Sequence, residues 1–356
     1  MSMFLIGCSN TEESVNSSNE SSDTIKVFTT IFPLEDFTKK IGGEHVSVTS
    51  VFPAGADAHT YEPSTKQMVE MANGDLFIYT GIGLEGFAEK AHETLENENV
   101  KILKAGENLD LLSHNHEHAH EEEEHAHEEE HANEEEHHAH EEEHAHEDEH
   151  AHEDEHAHED EHAHEEEQVN EEENHHHDHD KDPHVWLDPI LAEQVAENIK
   201  NTLIELKPDA QEDFEKNFQA LVEQFHSLDA EMNAIVEKAE RKEIVVSHAA
   251  YGYWEERYGI EQISISGLSP TEEPSQKELA HIIEKAQEHD IKYVIFENNV
   301  SSNVANIVQS ELNAEALTLH NLESITEEQM EEGKDYFDIM KENIETLKKA
   351  LNVRNS

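Results

Sequence analysis

The segment from residue 114 to residue 180 places the strongest constraint on how this chain of 356 residues can fold. Its 67 residues hold 22 of the 31 histidines, 31 acidic residues and no lysine or arginine. Because Val169 is its only large aliphatic residue, the segment cannot bury the apolar surface that a core requires. We therefore expect a long, disordered, His/Glu-rich insertion that divides a folded protein in two.

The composition of the whole chain still allows a folded protein. Apolar residues make up 35% of the chain, and the formal net charge is -62. Such a charge repels the phosphates of nucleic acids and of anionic lipids, so we exclude a general affinity for either. We expect cations as partners, and we expect the protein to be a monomer.

The only cysteine, Cys8, excludes an internal disulfide and follows Leu5-Ile6-Gly7, which together look like a bacterial lipobox. In that interpretation the signal peptide is removed before Cys8, whose thiol carries a lipid anchor on the outer face of the cytoplasmic membrane. Seven residues precede Cys8, fewer than an export signal needs, so we expect the true start codon to lie upstream. The alternative is a cytosolic N-terminus with a chance Gly-Cys pair.

Short β-rich runs alternate with helix-length segments on both sides of the insertion, as is typical of βαβ units around a parallel sheet. We predict an α/β fold with two such lobes. Their strands are expected at residues 25–29, 46–52, 76–79, 100–103, 244–247, 260–265, 293–296 and 316–319.

The apolar residues between residues 210 and 240 recur at a spacing of three and four, which predicts one amphipathic helix. It would be roughly 45 Å long and would join the lobes as a single rigid connector. The predicted divisions are a lipobox and polar tether at 1–23, a first lobe with the insertion at 24–209, the linking helix at 210–240 and a second lobe at 241–356.

Four side chains that can bind a metal ion occur where predicted strands end, the edge at which open α/β sheets bind ligands. His248 and Glu297 each directly follow a strand, and His59 lies in the loop after the second strand. His184 stands where the insertion rejoins the fold. Three imidazoles and one carboxylate suit four-coordinate Zn²⁺, whereas Mn²⁺ favours more oxygen ligands, so we expect a Zn²⁺ site between the lobes.

Four motifs around these residues carry a resemblance to a known family. They are GADAHTYEP at 55–63, PHVWLDP at 183–189, SHAAYGY at 247–253 and FEN at 296–298. They resemble the ligand segments of the zinc-specific cluster A-I substrate-binding proteins of ABC transporters.

The resemblance implies that His59, His184, His248 and Glu297 are the zinc ligands, with Glu62 as a reserve oxygen donor. The alternative role for Glu62 is to brace its own loop. Manganese-binding relatives carry a carboxylate at the third position, so His248 favours zinc. The implied partners are an ABC permease and its ATPase in the membrane, to which the protein would deliver Zn²⁺.

The insertion repeats His-Ala-His-Glu-Asp/Glu-Glu with a period of six residues. Each unit offers two imidazoles and several carboxylates, which predicts weak, exchangeable auxiliary zinc sites; the alternative is an acidic spacer. The histidines of the four units are His144, His146, His150, His152, His156, His158, His162 and His164.

Other functions compete with zinc capture for import. An enzyme would need an open metal position and a general base, and because the predicted site has four protein ligands we expect no enzyme. A surface-anchored zinc storage or cell-adhesion protein, or a manganese- or iron-binding paralogue, remains the alternative. Six further histidines are expected at the surface: His45, His92, His226, His281, His289 and His320.

Overall fold

The computed structural model describes residues 24–113, 181–298 and 302–354. Within these ranges the chain forms two four-stranded parallel sheets. The first has the order β2-β1-β3-β4, with β1 (Ile25–Thr29), β2 (Val46–Ser50), β3 (Leu76–Tyr79) and β4 (Lys101–Lys104). The second has the order β6-β5-β7-β8, with β5 (Glu243–Val246), β6 (Glu261–Ser264), β7 (Tyr293–Glu297) and β8 (Glu315–Leu319). The predicted α/β fold with two parallel lobes is confirmed.

Helices connect the strands and cover both sheets. In chain order they are α1 (Phe32–Gly42), α2 (Thr65–Met71), α3 (Ala88–Leu95), α4 (Pro189–Leu206), α5 (Gln211–Val236), α6 (Gly252–Tyr258), α7 (Gln276–Glu288), α8 (Asn303–Leu312), α9 (Glu327–Glu332) and α10 (Tyr336–Ala350). In the part of the chain that the structure describes, none of them is both long and apolar enough to cross a membrane.

The central strands are buried because parallel sheets are covered on both faces. All four residues of β3 are buried, and their sequence, LFIY, is continuously apolar rather than alternating. In each sheet all paired strands run in the same direction, so their carboxyl ends lie along one edge. The loops that leave this edge are the ones that carry the predicted ligands.

The helix α5 joins the two halves of the chain as the periodicity predicts. Its 26 residues give it a length of about 39 Å. The ring of Phe225 on α5 lies 5.3 Å from that of Phe37 on α1 and 5.0 Å from that of Phe337 on α10. The last helix thus packs back onto the first, and one continuous apolar core holds both lobes together.

The residues that flank the predicted insertion on either side are paired. Ser113 and Lys181 form an antiparallel bridge, and Lys181 Nζ donates a hydrogen bond to Ser113 Oγ at 2.9 Å. The amide of Asp182 donates to the carbonyl oxygen of Leu112 at 3.0 Å. The hydroxyl of Tyr253 donates to the carbonyl oxygen of Asp182 at 2.8 Å and accepts from the amide of Leu112 at 3.3 Å. We call these four chain residues, 112, 113, 181 and 182, the stem.

Candidate metal centre

Four side chains from both lobes converge on one point: His59, His184, His248 and Glu323. One possible ligand atom from each lies within 4.8 Å of the corresponding atoms of the other three. The side chains of His184 and His248 are fully buried, that of Glu323 is 3% exposed and that of His59 is 11% exposed. The cluster is therefore shielded from water, and His59 forms its most accessible side.

The ends of the parallel strands bring these residues together. His59 lies in the loop after β2, His248 is two residues beyond β5, and Glu323 is four residues beyond β8. His184 immediately precedes the 3-10 turn Val185–Leu187. The loops after β2, β5 and β8 thus bring His59, His248 and Glu323 to the carboxyl edge of the sheets, and His184 joins them from the segment before the 3-10 turn.

Asp182 fixes the orientation of His184. Asp182 Oδ1 lies 2.8 Å from His184 Nδ1 and accepts the backbone amide of His184 at 2.9 Å. The other ring nitrogen, Nε2, therefore faces the cluster, 3.7 Å from Glu323 Oε1. Burial opposes the charged imidazolium, but the hydrogen bonds and charges of Asp182 and Glu323 outweigh it and raise the pKa of His184 to about 9.

Glu297, the predicted fourth ligand, lies outside the group of four converging atoms. Its Oε1 is 2.5 Å from Nδ1 of His248 and accepts a hydrogen bond from Ser247 Oγ at 3.1 Å. Nε2 of His248 points inward, 3.5 Å from Nε2 of His184. Glu297 ends β7 and reaches the outer nitrogen of His248, whereas Glu323, in the loop after β8, lies in the cluster.

The carboxylate of Glu323 links the two lobes. Its Oε1 is 3.4 Å from His59 Nε2, and its Oε2 accepts the amide of Ala58 at 3.3 Å. Burial favours the neutral carboxyl, but His184 and His59 beside it outweigh burial and hold the pKa of Glu323 well below its usual range. Glu62, the reserve donor, is exposed and does not belong to the cluster.

His248 Nδ1 is buried without a hydrogen-bond partner among the described residues, and so are two atoms that face the point of convergence, His59 Nε2 and Glu323 Oε1. Leaving a polar atom unpaired in a protein interior costs about 1–3 kcal/mol, so such atoms are rare in folded proteins. A cation at the point of convergence would pair with both of them. Three imidazole nitrogens and one carboxylate oxygen are a ligand set suited to Zn²⁺.

Glu323 was not among the predicted ligands, and His320 is buried rather than at the surface. The prediction that His320 is a surface residue is wrong, because it is 4% exposed. Its amide donates to Asn343 Oδ1 at 2.8 Å, and its Nε2 lies 3.0 Å from Gln329 Oε1. The signal for Glu323 was present, since it follows a predicted strand at the same sheet edge as the other ligands.

Two further groups of predicted functional residues cannot be placed. Cys8 and the insertion histidines at 144, 146, 150, 152, 156, 158, 162 and 164 lie outside the described residues. Their predicted roles in lipidation and auxiliary zinc binding stay predictions.

Two α/β lobes that enclose a buried cluster of three histidines and one glutamate define a two-lobed metal-binding protein. The model of the ZnuA family, described as zinc-uptake complex component A, periplasmic, matches residues 27–350. The chain belongs to this family, and the resemblance found in the motifs is confirmed.

Individual relatives agree with this membership. The zinc-binding lipoprotein AdcA of Streptococcus pneumoniae (strain ATCC BAA-255 / R6) is 32% identical over 348 residues, which cover 98% of this chain and 58% of AdcA. The chain thus spans little more than half the length of that relative. The high-affinity zinc uptake system protein ZnuA of Bacillus subtilis (strain 168) is 31% identical over 353 residues, covering 99% of this chain and 95% of ZnuA.

A solved structure shares the fold. The crystal structure of the Zn(II)-bound ZnuA-like domain of Streptococcus pneumoniae AdcA is 29% identical and has a TM-score of 0.66. The match covers 92% of this chain and 99% of that domain.

Proposed function

We propose that this protein captures Zn²⁺ outside the cytoplasmic membrane and delivers it to the permease of an ABC importer, which is driven by its ATPase. The observation that carries the proposal is the buried cluster of three histidines and Glu323, whose ligand atoms lie within 4.8 Å of one another. Zinc is the cargo in this proposal, and family membership supports it.

We assign the four converging side chains, His59, His184, His248 and Glu323, as the Zn²⁺ ligands. Glu297 then serves to orient His248, and Asp182 to orient His184. A carboxylate on the outer nitrogen fixes the tautomer of a metal-binding histidine and strengthens it as a ligand.

The site favours binding over catalysis. With four protein ligands a tetrahedral zinc ion has no open position for a reactive water, unlike the three-ligand sites of zinc enzymes. Because His59 is the most exposed of the four, we propose that the ion enters and leaves on its side. Displacement of His59 would leave three ligands and a weaker hold on the ion.

The location of the protein is also a proposal. A lipid on Cys8 would anchor a monomer to the outer face of the membrane, with residues 9–23 as a tether. The lipobox-like sequence and the lipoprotein relative support this assignment. Lipid labelling of the protein expressed behind a complete signal peptide, with a Cys8→Ala control, tests it: the lipid should appear only with Cys8.

Tryptophan fluorescence can test the zinc site in the full chain. The ring of Trp186 lies 5.4 Å from that of His184, and the chain has two tryptophans, neither of them in the insertion. Zn²⁺ should be buffered by a strong chelator, so that free Zn²⁺ stays too low to fill weak sites. We expect one tight site in the wild type, its loss in His184→Ala, and its retention in the control His226→Ala. His226 is exposed and pairs with Glu193.

Two results would contradict the proposal. One is a wild-type protein that binds no Zn²⁺ under these conditions. The other is a His184→Ala variant whose zinc affinity equals that of His226→Ala.

A further inference from the structure

Asn321 is a buried residue that contacts the supports of several proposed ligands at once. It is 4% exposed and lies in the loop between β8 and Glu323. Its Nδ2 donates to Glu297 Oε2 at 3.0 Å, and its Oδ1 accepts the backbone amide of Glu323 at 3.2 Å. Its carbonyl oxygen accepts the indole N–H of Trp186 at 2.7 Å.

Each of these three hydrogen bonds connects Asn321 to the surroundings of a different proposed ligand. Glu297 reaches His248 through Nδ1, so the bond from Asn321 fixes the carboxylate that orients this histidine. The bond from the amide of Glu323 fixes the backbone that carries the carboxylate ligand. Trp186 packs against the ring of His184, so the bond from its indole connects the same loop to a third ligand.

The loop has an unusual backbone that its own side chains hold in place. Leu322 has a φ of 62°, in the left-handed region that residues other than glycine disfavour. His320 Nδ1 accepts the amide of Leu322 at 2.9 Å, and Asn321 Oδ1 accepts the next amide, that of Glu323. This pair of side-chain acceptors sets the direction in which Glu323 leaves the loop.

We propose that Asn321 is a positioning residue that sets the geometry of the metal site and, with it, the preference for Zn²⁺ over Mn²⁺. The inference rests on the proposed function. If Asn321 is lost, His248 and Glu323 are both less firmly held. Zn²⁺ depends more than Mn²⁺ on correctly placed imidazole nitrogens, so its affinity should fall further.

The test compares two asparagines that are equally buried. Asn321→Leu removes the side-chain bonds to Glu297 and Glu323 with little change in volume. The control is Asn343→Leu: Asn343 is 2% exposed, binds the backbone of His320 with two hydrogen bonds of 2.8 Å, and contacts Met340 Sδ at 3.9 Å. Asn321→Asp is a second variant, isosteric with asparagine, that keeps the acceptor for Glu323 but places a negative oxygen beside Glu297.

Zn²⁺ affinity is measured in the full chain by chelator-buffered titration of tryptophan fluorescence, and Mn²⁺ affinity by competition with Zn²⁺. Thermal unfolding of the metal-free proteins records the loss of stability. We expect Asn321→Leu to bind Zn²⁺ about 10–100-fold more weakly, the range common for residues that support metal ligands. The ratio of Zn²⁺ to Mn²⁺ affinity should fall in both Asn321 variants. A residue that acts only on folding would weaken both metals by the same factor, as we expect for Asn343→Leu.

An unchanged affinity ratio in Asn321→Leu would overturn the inference, as would an equal change in Asn343→Leu. If Asn321→Leu does not fold, an unchanged ratio of Zn²⁺ to Mn²⁺ affinity in Asn321→Asp would overturn the inference instead. A wild type without a tight zinc site contradicts the proposed function itself. If the wild type has that site and the Asn321 variants keep the wild-type ratio of Zn²⁺ to Mn²⁺ affinity, only the proposed role of Asn321 is contradicted.

Discussion

Glu297 places Oε1 2.5 Å from Nδ1 of His248, while Nε2 of the same ring faces His184 at 3.5 Å. The two acidic residues of the site therefore occupy different positions. Glu297 contacts the outer nitrogen of a histidine, whereas Glu323 lies among the inward-facing nitrogens. This difference predicts unequal effects when either carboxylate is neutralised.

Glu323→Gln should weaken Zn²⁺ binding more than Glu297→Gln. In the proposed site, the first removes a charged ligand atom, whereas the second removes only a contact that orients His248, which typically costs about 10–100-fold in affinity. Replacing His59, His184 or His248 by alanine should cost orders of magnitude. Chelator-competition titrations of the five variants provide the ranking, and a larger loss in Glu297→Gln would restore Glu297 as the ligand.

Gly252→Ala should weaken Zn²⁺ binding although Gly252 touches no ligand. A Cβ at this position would lie 2.5 Å from Asp182 Oδ2, so the carboxylate that orients His184 would have to move. The control is Gly86→Ala, whose Cβ would meet only the carbonyl oxygen of His59, at an ordinary 3.7 Å. Equal zinc affinities in the two variants would show that Asp182 does not need its present position.

Replacing residues 114–180 by two glycines should leave a folded protein with one tight zinc site. The stem is already an antiparallel pair, which a two-residue turn can close. Calorimetric titration should show more than one weaker zinc site in the full chain. These weaker sites should be absent from the shortened chain. The full chain should lose these sites by about pH 5, since an unperturbed histidine becomes protonated near pH 6.5. Loss of the tight site on deletion would identify the insertion as the main zinc-binding element.

Glu85→Gln should reduce the loss of stability as the pH rises. Glu85 is 5% exposed and accepts hydrogen bonds from Thr30 and Thr80, but burial outweighs them and raises its pKa above the ordinary 4.5. Between 4.5 and the raised value, the unfolded chain releases a proton that the folded protein retains. The contribution of Glu85 to the free energy of unfolding is therefore undiminished below pH 4.5 and falls as the pH rises through this window.

Urea unfolding between pH 4 and pH 7 measures this effect. The variant should show a shallower decline than the wild type, whereas the control Glu107→Gln, at an exposed position, should follow the wild type. Identical slopes in all three proteins would mean that Glu85 ionises equally in the folded and unfolded states.

The sequence predicted the lobes and the approach of His59 and His248 because both follow from strand order. Parallel strands place their carboxyl ends at one edge, so His59 and His248 could be located without knowledge of packing. Strand order could not show which carboxylate lies with the three histidines. Glu297 and Glu323 both follow strands of the second sheet, and only the turn at Leu322 and the bonds of Asn321 decide which carboxylate faces inward.

The burial of His320 is a second feature that the sequence pattern could not predict. Its ring is held by Gln329 from α9 and its backbone by Asn343 from α10, two residues that come later in the chain. The periodicity of a single segment contains no information about such partners. Their contribution appears only once the last two helices have packed against the end of β8.

The pairing of Ser113 with Lys181 has a consequence for how this protein can change over evolutionary time. Once two ends are fixed beside each other, the entropy of closing the chain between them grows only with the logarithm of its length, about 0.6 kcal/mol for each doubling. The gene for a tandem repeat of six residues can gain or lose units by slippage during replication. Such changes would alter the number of histidines carried by each molecule while the folded lobes and their stability stayed nearly the same.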